Sequence, residues 1–193
     1  MIPVTLHTDR LVLSIPTSAD IDAIFEICQD PEVQRWTTVP SPYRREHAVG
    51  FVERVVAPGW DEGRETTWAL RLNGELIGVL ALFGIADGKA ELGYWMSPAH
   101  RRRGLLHEAC RAVVDFGFAS SERGQGIGLE RISWRALADN IGSASVARSL
   151  GFRFEGIIRL GTVAKDGARV DEWVAGLLRT DDRTPVAWSV LPG

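Results

Sequence analysis

A short segment rich in arginine and glycine stands where a predicted strand gives way to a predicted helix. Arg101–Arg103 are followed by Gly104, and a helical pattern of apolar residues begins at Leu105. The first N–H groups of a helix have no partner inside the helix and carry a partial positive charge, so they bind phosphate. Gly104 lets a ligand approach the backbone, and the arginines add charge that suits a pyrophosphate. The segment therefore predicts an anion site at the start of this helix.

Other patterns that could indicate a binding or catalytic site are weaker. Gly124, Gly126 and Gly128 resemble a phosphate loop, but they precede a strand, whereas a dinucleotide-binding fingerprint follows one. We interpret them as a connector. The sequence contains neither the GxxxxGK[ST] phosphate loop nor the GxSxG nucleophile elbow. Its four histidines and two cysteines lack the spacing of metal ligands, so no metal is predicted.

Composition and charge exclude several classes of protein. With 193 residues, 45% of them hydrophobic and 24% charged, the chain matches one globular domain and excludes disorder, collagen and coiled coil. The formal net charge of −3 does not favour nucleic acid as a partner, because phosphate binding needs a basic surface. The longest apolar run, at positions 77–86, is far shorter than the ~18 to 20 residues of a membrane helix. We expect a cytoplasmic chain without a membrane segment or secretory signal, in which Cys28 and Cys110 stay reduced.

The patterning of apolar residues, capping residues and turns predicts the order of elements. Thr17 and Asp20 resemble a capping box that opens the first helix, and Pro31 is expected to end it. Asn73 and Gly74 are a strong signal for a type I′ hairpin, and Asn140 can cap the last helix. The predicted strands are 8–14, 66–72, 76–83, 90–96, 131–136, 152–160 and 170–178, and the predicted helices are 17–30, 44–56, 104–120 and 140–151.

This order predicts an α/β fold with a mixed, mostly antiparallel sheet of about seven strands and four flanking helices. The hairpins make neighbouring strands antiparallel, whereas the crossover between positions 90 and 136 places two strands parallel. We predict one domain over residues 1–180 and a C-terminal tail over residues 181–193.

The arginine loop resembles the acyl-CoA signature of the GNAT superfamily of N-acetyltransferases, usually written Q/R-x-x-G-x-G/A. Arg101, Gly104 and Leu106 stand at its three defined positions. The flanking sequence is similar to the RimJ/RimL-type branch, the ribosomal-protein N-terminal acetyltransferases, in motif order and spacing over about residues 8–178. The motifs are Thr8–Leu11, Asp30–Val33, Glu91–Trp95, Glu108-Ala109, Asn140 with Ser143, Leu150–Phe152 and Glu155-Gly156.

Two positions depart from the motif of this branch. Leu106 replaces the second small residue of the loop, and His107 replaces the threonine that is common two residues before Ala109. Leu106 would crowd one amide of a pyrophosphate cradle unless its side chain points into the core. Glu108 is interpreted as a partner of the helix dipole rather than a catalyst.

The resemblance implies a V-shaped split in the centre of the sheet, with acetyl-CoA as co-substrate. The strand ending at Met96 would diverge from the strand ending near Ala136, and the pantetheine arm would enter between them, where its amides would pair with free backbone groups of Tyr94–Met96. The residues implied to bind acetyl-CoA are Tyr94, Trp95, Met96, Arg101, Arg102, Arg103, Gly104, Leu105, Leu106, Asn140 and Ser143.

The implied reaction is acyl transfer to an amine, which needs a neutral amine, an oxyanion donor and a proton for the leaving thiolate. In many GNAT members a tyrosine seven residues after this asparagine serves the thiolate, but Ala147 stands at that position here. The RimL-type branch instead places its candidate at Ser143, beside which the thioester would lie. A serine hydroxyl is better viewed as a hydrogen-bond donor to sulfur than as a strong acid.

For the general base we favour Glu91, at the start of its strand. Glu155, Asp171 and His107 are the alternatives. Two aromatic residues in the segment between the first two helices are candidates for lining the acceptor pocket: Trp36 and Tyr43.

Together these features predict an acetyl-CoA-dependent N-acetyltransferase whose amine acceptor attacks the thioester directly. The acceptor is either a protein N-terminal α-amine or a small-molecule amine, because fold does not settle the matter. The absent tyrosine and altered loop motivate an alternative, a non-catalytic acyl-CoA-binding or interaction module. A nucleotide-dependent oxidoreductase is the third hypothesis. Nucleic acid and membrane are not expected partners, and both monomer and homodimer remain open.

Overall fold

A computed structural model of the chain describes residues 1–191, except for the side chain of Arg123. Its centre is a single eight-stranded sheet with the strand order β1-β2-β3-β4-β5-β6-β8-β7. The strands are β1 (Leu6–His7), β2 (Val12–Ser14), β3 (Glu65–Leu72), β4 (Glu75–Ala86), β5 (Lys89–Met96), β6 (Arg131–Leu137), β7 (Arg153–Val163) and β8 (Arg169–Leu178).

Helices cover both faces of this sheet. They are α1 (Ile21–Ile27), α2 (Pro31–Trp36), α3 (Arg45–Phe51), α4 (Ala57–Glu62), α5 (Leu105–Phe118) and α6 (Ile141–Ser149), with a π-turn over Val52–Val56 that joins α3 to α4. Short 3-10 turns lie at Ser18–Asp20, Pro98–His100 and Ser121–Arg123. Within the described residues the longest helix, α5, has 14 residues, and no helix is long and apolar enough to cross a membrane.

The predicted α/β class and mixed, mostly antiparallel sheet are confirmed, with differences in detail. The strand expected over positions 8–14 is present only over Val12–Ser14, because positions 8–11 form a turn in which Thr8 N–H donates to the Leu11 carbonyl at 3.0 Å, and an additional strand, β1, precedes this turn. The sheet therefore has eight strands. Five helical segments, rather than four, flank it, because α3 and α4 form one continuous segment and α2 is an additional helix.

The role predicted for Pro31 was wrong. Helix α1 ends at Ile27, and Pro31 opens α2 instead, with Asp30 accepting a hydrogen bond from Val33 N–H at 2.9 Å as the N-cap. Proline has no N–H and a fixed φ, so it fits the first turn of a helix, where the N–H would be unpaired anyway. Pro58 lies in the first turn of α4 for the same reason, and the helical segment continues past its predicted end.

The turn between β3 and β4 has the predicted type I′ geometry. Asn73 and Gly74 have φ angles of 52° and 87°, and Leu72 pairs directly with Glu75. Such a turn matches the twist of the flanking strands. It fixes the register of β3 on β4.

The implied split opens between β5 and β6. These strands are parallel over only three pairs, the last of which is Glu91 with Ser133. Beyond Glu91, β5 stays paired with β4 as far as Met96, while β6 stays paired with β8 as far as Leu137. The two halves of the sheet therefore diverge after Glu91.

The two faces of the sheet carry two hydrophobic clusters. We call the side with α1 and α3 the α3 face, and the side with α5 and α6 the α5 face. Ala69 of β3 belongs to the cluster on the α3 face, and its neighbour Trp68 to the cluster on the α5 face. The segment after residue 180, predicted as a tail, adds Trp188 to the α5-face cluster, where its indole N–H donates to the Phe152 carbonyl at 3.1 Å.

Candidate active site

A cleft of about 1270 Å³ runs through the split and is lined by residues of both sheet faces. Residues directly opposite one another on paired strands share a face of the sheet. Glu91 is opposite Phe83, which is opposite Glu65, and all three lie on the α3 face with Ala69. Tyr94, an odd number of positions away from Glu91, lies on the α5 face.

The arginine loop brings the N-terminus of α5 to the wall of this cleft. Gly104 is the N-cap, with φ 74° and ψ −3°, and Arg102 also has a positive φ of 60°. The first intrahelical hydrogen bond runs from Glu108 N–H to the Gly104 carbonyl, at 3.1 Å. The N–H groups before Glu108 are therefore the unpaired donors of the first turn, and Gly104–His107 line the cleft.

The three loop arginines differ in what they contact. The Arg101 guanidinium donates to the Met96 carbonyl at 3.1 Å and forms an ion pair with Asp30 at 2.7 Å. It therefore fastens the loop to β5 and to the start of α2, and Asp30 neutralises its charge. The side chains of Arg102 and Arg103 are exposed, and Arg102 lines the cleft.

Leu106 and Glu108 each have a structural role at the start of α5. Leu106 is partly buried against the α5-face cluster, so its side chain packs on the core. Glu108 accepts hydrogen bonds from the Thr8 hydroxyl at 2.5 Å and from the Arg10 backbone N–H at 2.9 Å, and forms an ion pair with the Arg10 side chain at 2.6 Å. Glu108 thus holds the turn between β1 and β2 on α5.

Asn140 and Ser143 meet at the start of α6, on the α5 face of the split. Asn140 Oδ1 accepts from Ser143 N–H at 3.1 Å and is the N-cap that the sequence predicts. The Ser143 hydroxyl accepts from the Trp134 indole N–H at 3.0 Å and lies 3.0 Å from the Tyr94 hydroxyl. Tyr94 was predicted to act through its backbone, and the contact of its hydroxyl with Ser143 was missed. No pattern in the sequence indicates that the side chains of Tyr94 and Ser143 meet.

The N-cap role of Asn140 leads to a prediction about stability. Asn140→Ala should lower the free energy of unfolding by about 1 kcal/mol, because Ser143 N–H would lose its acceptor. Urea denaturation followed by circular dichroism measures this change. Asn140→Asp, which retains a capping oxygen, is the matched control and should stay within a few tenths of a kcal/mol of the parent. Equal stability of the alanine variant and the parent would contradict the prediction.

Glu91 lies on the other face, at the last paired position before the split. Its carboxylate is 3.5 Å from the Arg135 guanidinium, which also contacts Glu172 at 3.3 Å. Burial raises the pKa of Glu91 above its ordinary value. The positive charge of Arg135 lowers this pKa, and the negative charge of Glu172 raises it. A carboxylate whose pKa is moved toward neutrality, at the wall of a cleft, is suited to accept a proton.

The chain is similar in sequence to proteins of a known family. The sequence profile of the "Acetyltransferase (GNAT) domain" family matches residues 10–153. The chain belongs to the GNAT acetyltransferase family. It is 32% identical to the uncharacterized N-acetyltransferase YoaA of Bacillus subtilis (strain 168) over 163 residues, which are 82% of this chain and 88% of that protein.

Two solved structures share the fold of this GNAT acetyltransferase. Mycobacterium smegmatis RimJ, in complex with a CoA disulfide, has a TM-score of 0.81 at 20% identity over 92% of this chain and 90% of that one. RimL, named a ribosomal L7/L12 α-N-protein acetyltransferase and solved with coenzyme A, has a TM-score of 0.76 at 18% identity over 91% and 98%. The chain is therefore an acyltransferase with the fold of the RimJ/RimL-type enzymes.

The alternative bases of this GNAT acetyltransferase are less well placed. Glu155 is held by two hydrogen bonds from Arg131, at 2.8 and 2.6 Å, which are the main cause of its lowered pKa. Asp171 accepts from Leu160 N–H at 2.8 Å and lines a second cavity of about 810 Å³. His107 contacts the Ser149 carbonyl at 3.4 Å beside α6. Among residues 1–191, no group of three His, Cys, Asp or Glu side chains could hold a metal ion.

The two predicted acceptor residues have different environments. Trp36, at the end of α2, lines both cavities and donates from its indole N–H to Glu32 at 2.8 Å. Tyr43 reaches the cleft wall but is only 6% exposed, and its ring packs edge-to-face on His47 at 5.4 Å. Trp36 is therefore accessible to an acceptor, whereas most of Tyr43 supports the α3-face cluster.

The chain offers two sets of backbone groups that fit acetyl-CoA. The first is the N-terminal turn of α5, with Arg102 beside it. The second set is the backbone N–H and C=O groups on the side of β5 that faces β6. After Glu91, no strand of the described residues pairs with this side. The Met96 carbonyl already accepts from Arg101, which leaves the other free backbone groups of Tyr94–Met96 as the predicted contacts of the pantetheine amides.

Proposed function

We propose that this protein is an acetyl-CoA-dependent N-acetyltransferase that acetylates a primary amine by direct attack within a ternary complex. The observation that carries the proposal is the split itself. A helix N-terminus suited to a pyrophosphate and a serine hydroxyl lie on its α5 face, and the half-buried carboxylate of Glu91 lies on its α3 face. Acetyl-CoA and the amine can therefore approach the split from opposite sides.

The α5 face would hold acetyl-CoA. The pyrophosphate would accept hydrogen bonds from the first turn of α5, with Arg102 and Arg103 adding positive charge. The pantetheine amides would pair with the backbone groups of Tyr94–Met96 that face the open side of β5. The thioester would then lie beside Asn140 and Ser143, at the point where the two strands have separated.

The α3 face would receive the amine. Glu91 would remove a proton from the ammonium form, directly or through one water, so that the nitrogen lone pair can attack the thioester carbonyl. The new C–N bond forms, the C–S bond breaks, and the electron pair of that bond leaves with sulfur. The nitrogen then loses its extra proton to solvent, and the thiolate takes up a proton from solvent to become the free thiol of CoA. Ser143 would donate its hydroxyl hydrogen bond to the sulfur as negative charge develops there.

The acceptor is proposed only as a class. RimL is named for acetylation of a protein α-amine, and the same scaffold also suits a small-molecule amine, so both remain candidates here. Release of free CoA thiol is measured with peptides bearing different N-terminal residues and with a panel of small amines. Amine-dependent thiol release supports the proposal. Binding of acetyl-CoA without release for any amine would favour the non-catalytic module instead.

Ser143→Ala tests the proposed contact with sulfur. If the hydroxyl donates to sulfur only in the transition state, kcat should fall about 10- to 100-fold with little change in acetyl-CoA affinity. Alanine is a good helix former, so the helix should remain intact. Ser149→Ala is the matched control, because that hydroxyl donates to the Val146 carbonyl on the same helix. An unchanged kcat with a raised KM for acetyl-CoA would show that Ser143 only binds the co-substrate.

A further inference from the structure

Three polar side chains from three different elements meet on the α5 face of the split. They are Tyr94 of β5, Trp134 of β6 and Ser143 of α6. The Tyr94 hydroxyl lies 3.0 Å from Ser143 Oγ and 3.1 Å from the Ser143 carbonyl oxygen, and the Trp134 indole N–H donates to Ser143 Oγ at 3.0 Å. The cluster joins β5 to β6 and α6 after the two strands have stopped pairing.

The number of available protons limits how this cluster can be hydrogen-bonded. An indole N–H can only donate, whereas each hydroxyl has one proton and two lone pairs. In one arrangement Tyr94 donates to the Ser143 carbonyl and accepts the proton of the Ser143 hydroxyl. In the other arrangement Tyr94 donates to Ser143 Oγ, whose second lone pair is occupied by the Trp134 N–H. Of these two arrangements, the second leaves the Ser143 proton free to point into the cleft.

We propose that Tyr94 is a positioning residue that sets the direction of the Ser143 hydroxyl proton, an inference that rests on the proposed function. Two O–H bonds rotate between the arrangements, and no covalent bond breaks. When negative charge develops on the sulfur, a hydrogen bond from Ser143 to that charge favours the second arrangement. Tyr94 then donates to Ser143 Oγ, which makes the Ser143 proton a stronger donor.

The environment of Tyr94 suits this role. Burial is the main cause of the raised pKa of its phenol, so the hydroxyl keeps its proton at neutral and mildly alkaline pH. Trp134 is 1% exposed and packs against Trp188 with ring centroids 5.6 Å apart, so its N–H has a fixed direction. The Ser143 carbonyl, to which Tyr94 donates in the other arrangement, is fixed by the capped first turn of α6.

Tyr94→Phe removes the hydroxyl and keeps the ring and the backbone. We expect kcat to fall about 5- to 10-fold, which corresponds to the loss of one neutral hydrogen bond in the transition state. The affinity for acetyl-CoA should change little. In a Ser143→Ala background the same substitution should cause no further loss, because it acts through Ser143. Equal losses in both backgrounds, or a kcat equal to that of the parent, would overturn the inference.

A second measurement separates this role from a purely structural one. The selenium analogue of acetyl-CoA has a far more acidic leaving group, which needs less hydrogen bonding. The ratio of rates with the sulfur and selenium donors should therefore fall in Tyr94→Phe, and an unchanged ratio would contradict the proposal. Because both donors are compared in one preparation, the ratio does not depend on how much of the variant is folded.

The proposed function and this inference fail in different ways. If the parent protein releases no thiol with any amine, the proposed function is wrong and the inference falls with it. If the parent and the Tyr94→Phe variant are equally active, only the inference is wrong.

Discussion

Replacement of Glu91 by glutamine should lower the rate of acetyl transfer about 100-fold or more near neutral pH. Glutamine keeps the shape of the side chain but cannot accept the proton of the amine. In the parent, the rate should rise with pH as the Glu91 carboxyl ionises, and burial moves this rise above the ordinary pH range of a glutamate. The deficit of the variant should shrink at high pH, where the free amine is already abundant.

Rates of thiol release between pH 6 and pH 9 test this prediction. Glu155→Gln is the matched control, since Glu155 is paired with Arg131 and is not among the residues that line the cleft. It should keep the parental rate. If instead Glu91→Gln retained the parental rate over the whole pH range, the role of base would pass to Glu155, Asp171 or bulk water.

The stability of the Glu91→Gln variant distinguishes a loss of chemistry from a loss of fold. A carboxyl whose pKa is raised in the folded state takes up protons on folding, so stability falls as pH rises through that pKa. At pH 7 the ionised form of Glu91 is therefore a cost to folding. The glutamine variant should be at least as stable as the parent at this pH, by thermal unfolding.

Gly104→Asp should abolish the binding of acetyl-CoA at the arginine loop. In the parent, acetyl-CoA at ~100 times its Kd should stabilise the fold by about 2.7 kcal/mol. Aspartate would add a negative charge against the phosphates, at a residue with φ 74° that strains any side chain with a Cβ. The shift in melting temperature on adding acetyl-CoA should therefore disappear, together with acetyl transfer.

Gly63→Asp is the control for backbone strain. Gly63 has a φ of 67°, close to that of Gly104, but it ends α4 and has no atom within 4 Å of an added Cβ. This variant should lose some stability and keep the full shift with acetyl-CoA. An undiminished shift in Gly104→Asp would show that the pyrophosphate binds elsewhere.

Features that depend on neighbouring residues could be predicted from the sequence. Asn73 and Gly74 adopt the positive φ angles of the predicted turn, because these residue types accept that conformation at little cost. Asn140 caps α6, and the acyl-CoA motif lies between a strand and a helix as expected. Pro31 was misassigned because proline is compatible both with the end of one helix and with the first turn of the next.

The contacts that give the candidate site its chemistry were decided by the tertiary structure. Arg101, whose charge was expected at the phosphates, is instead paired with Asp30, which is 71 positions away. Tyr94 and Ser143 meet across 49 positions because β5 and β6 diverge after Glu91 and the start of α6 contacts side chains of both strands on the α5 face. The sequence determined which residue types and local turns were available. Long-range packing of the sheet determined which side chains meet, because hydrogen-bond partners are chosen by position in space rather than by separation along the chain.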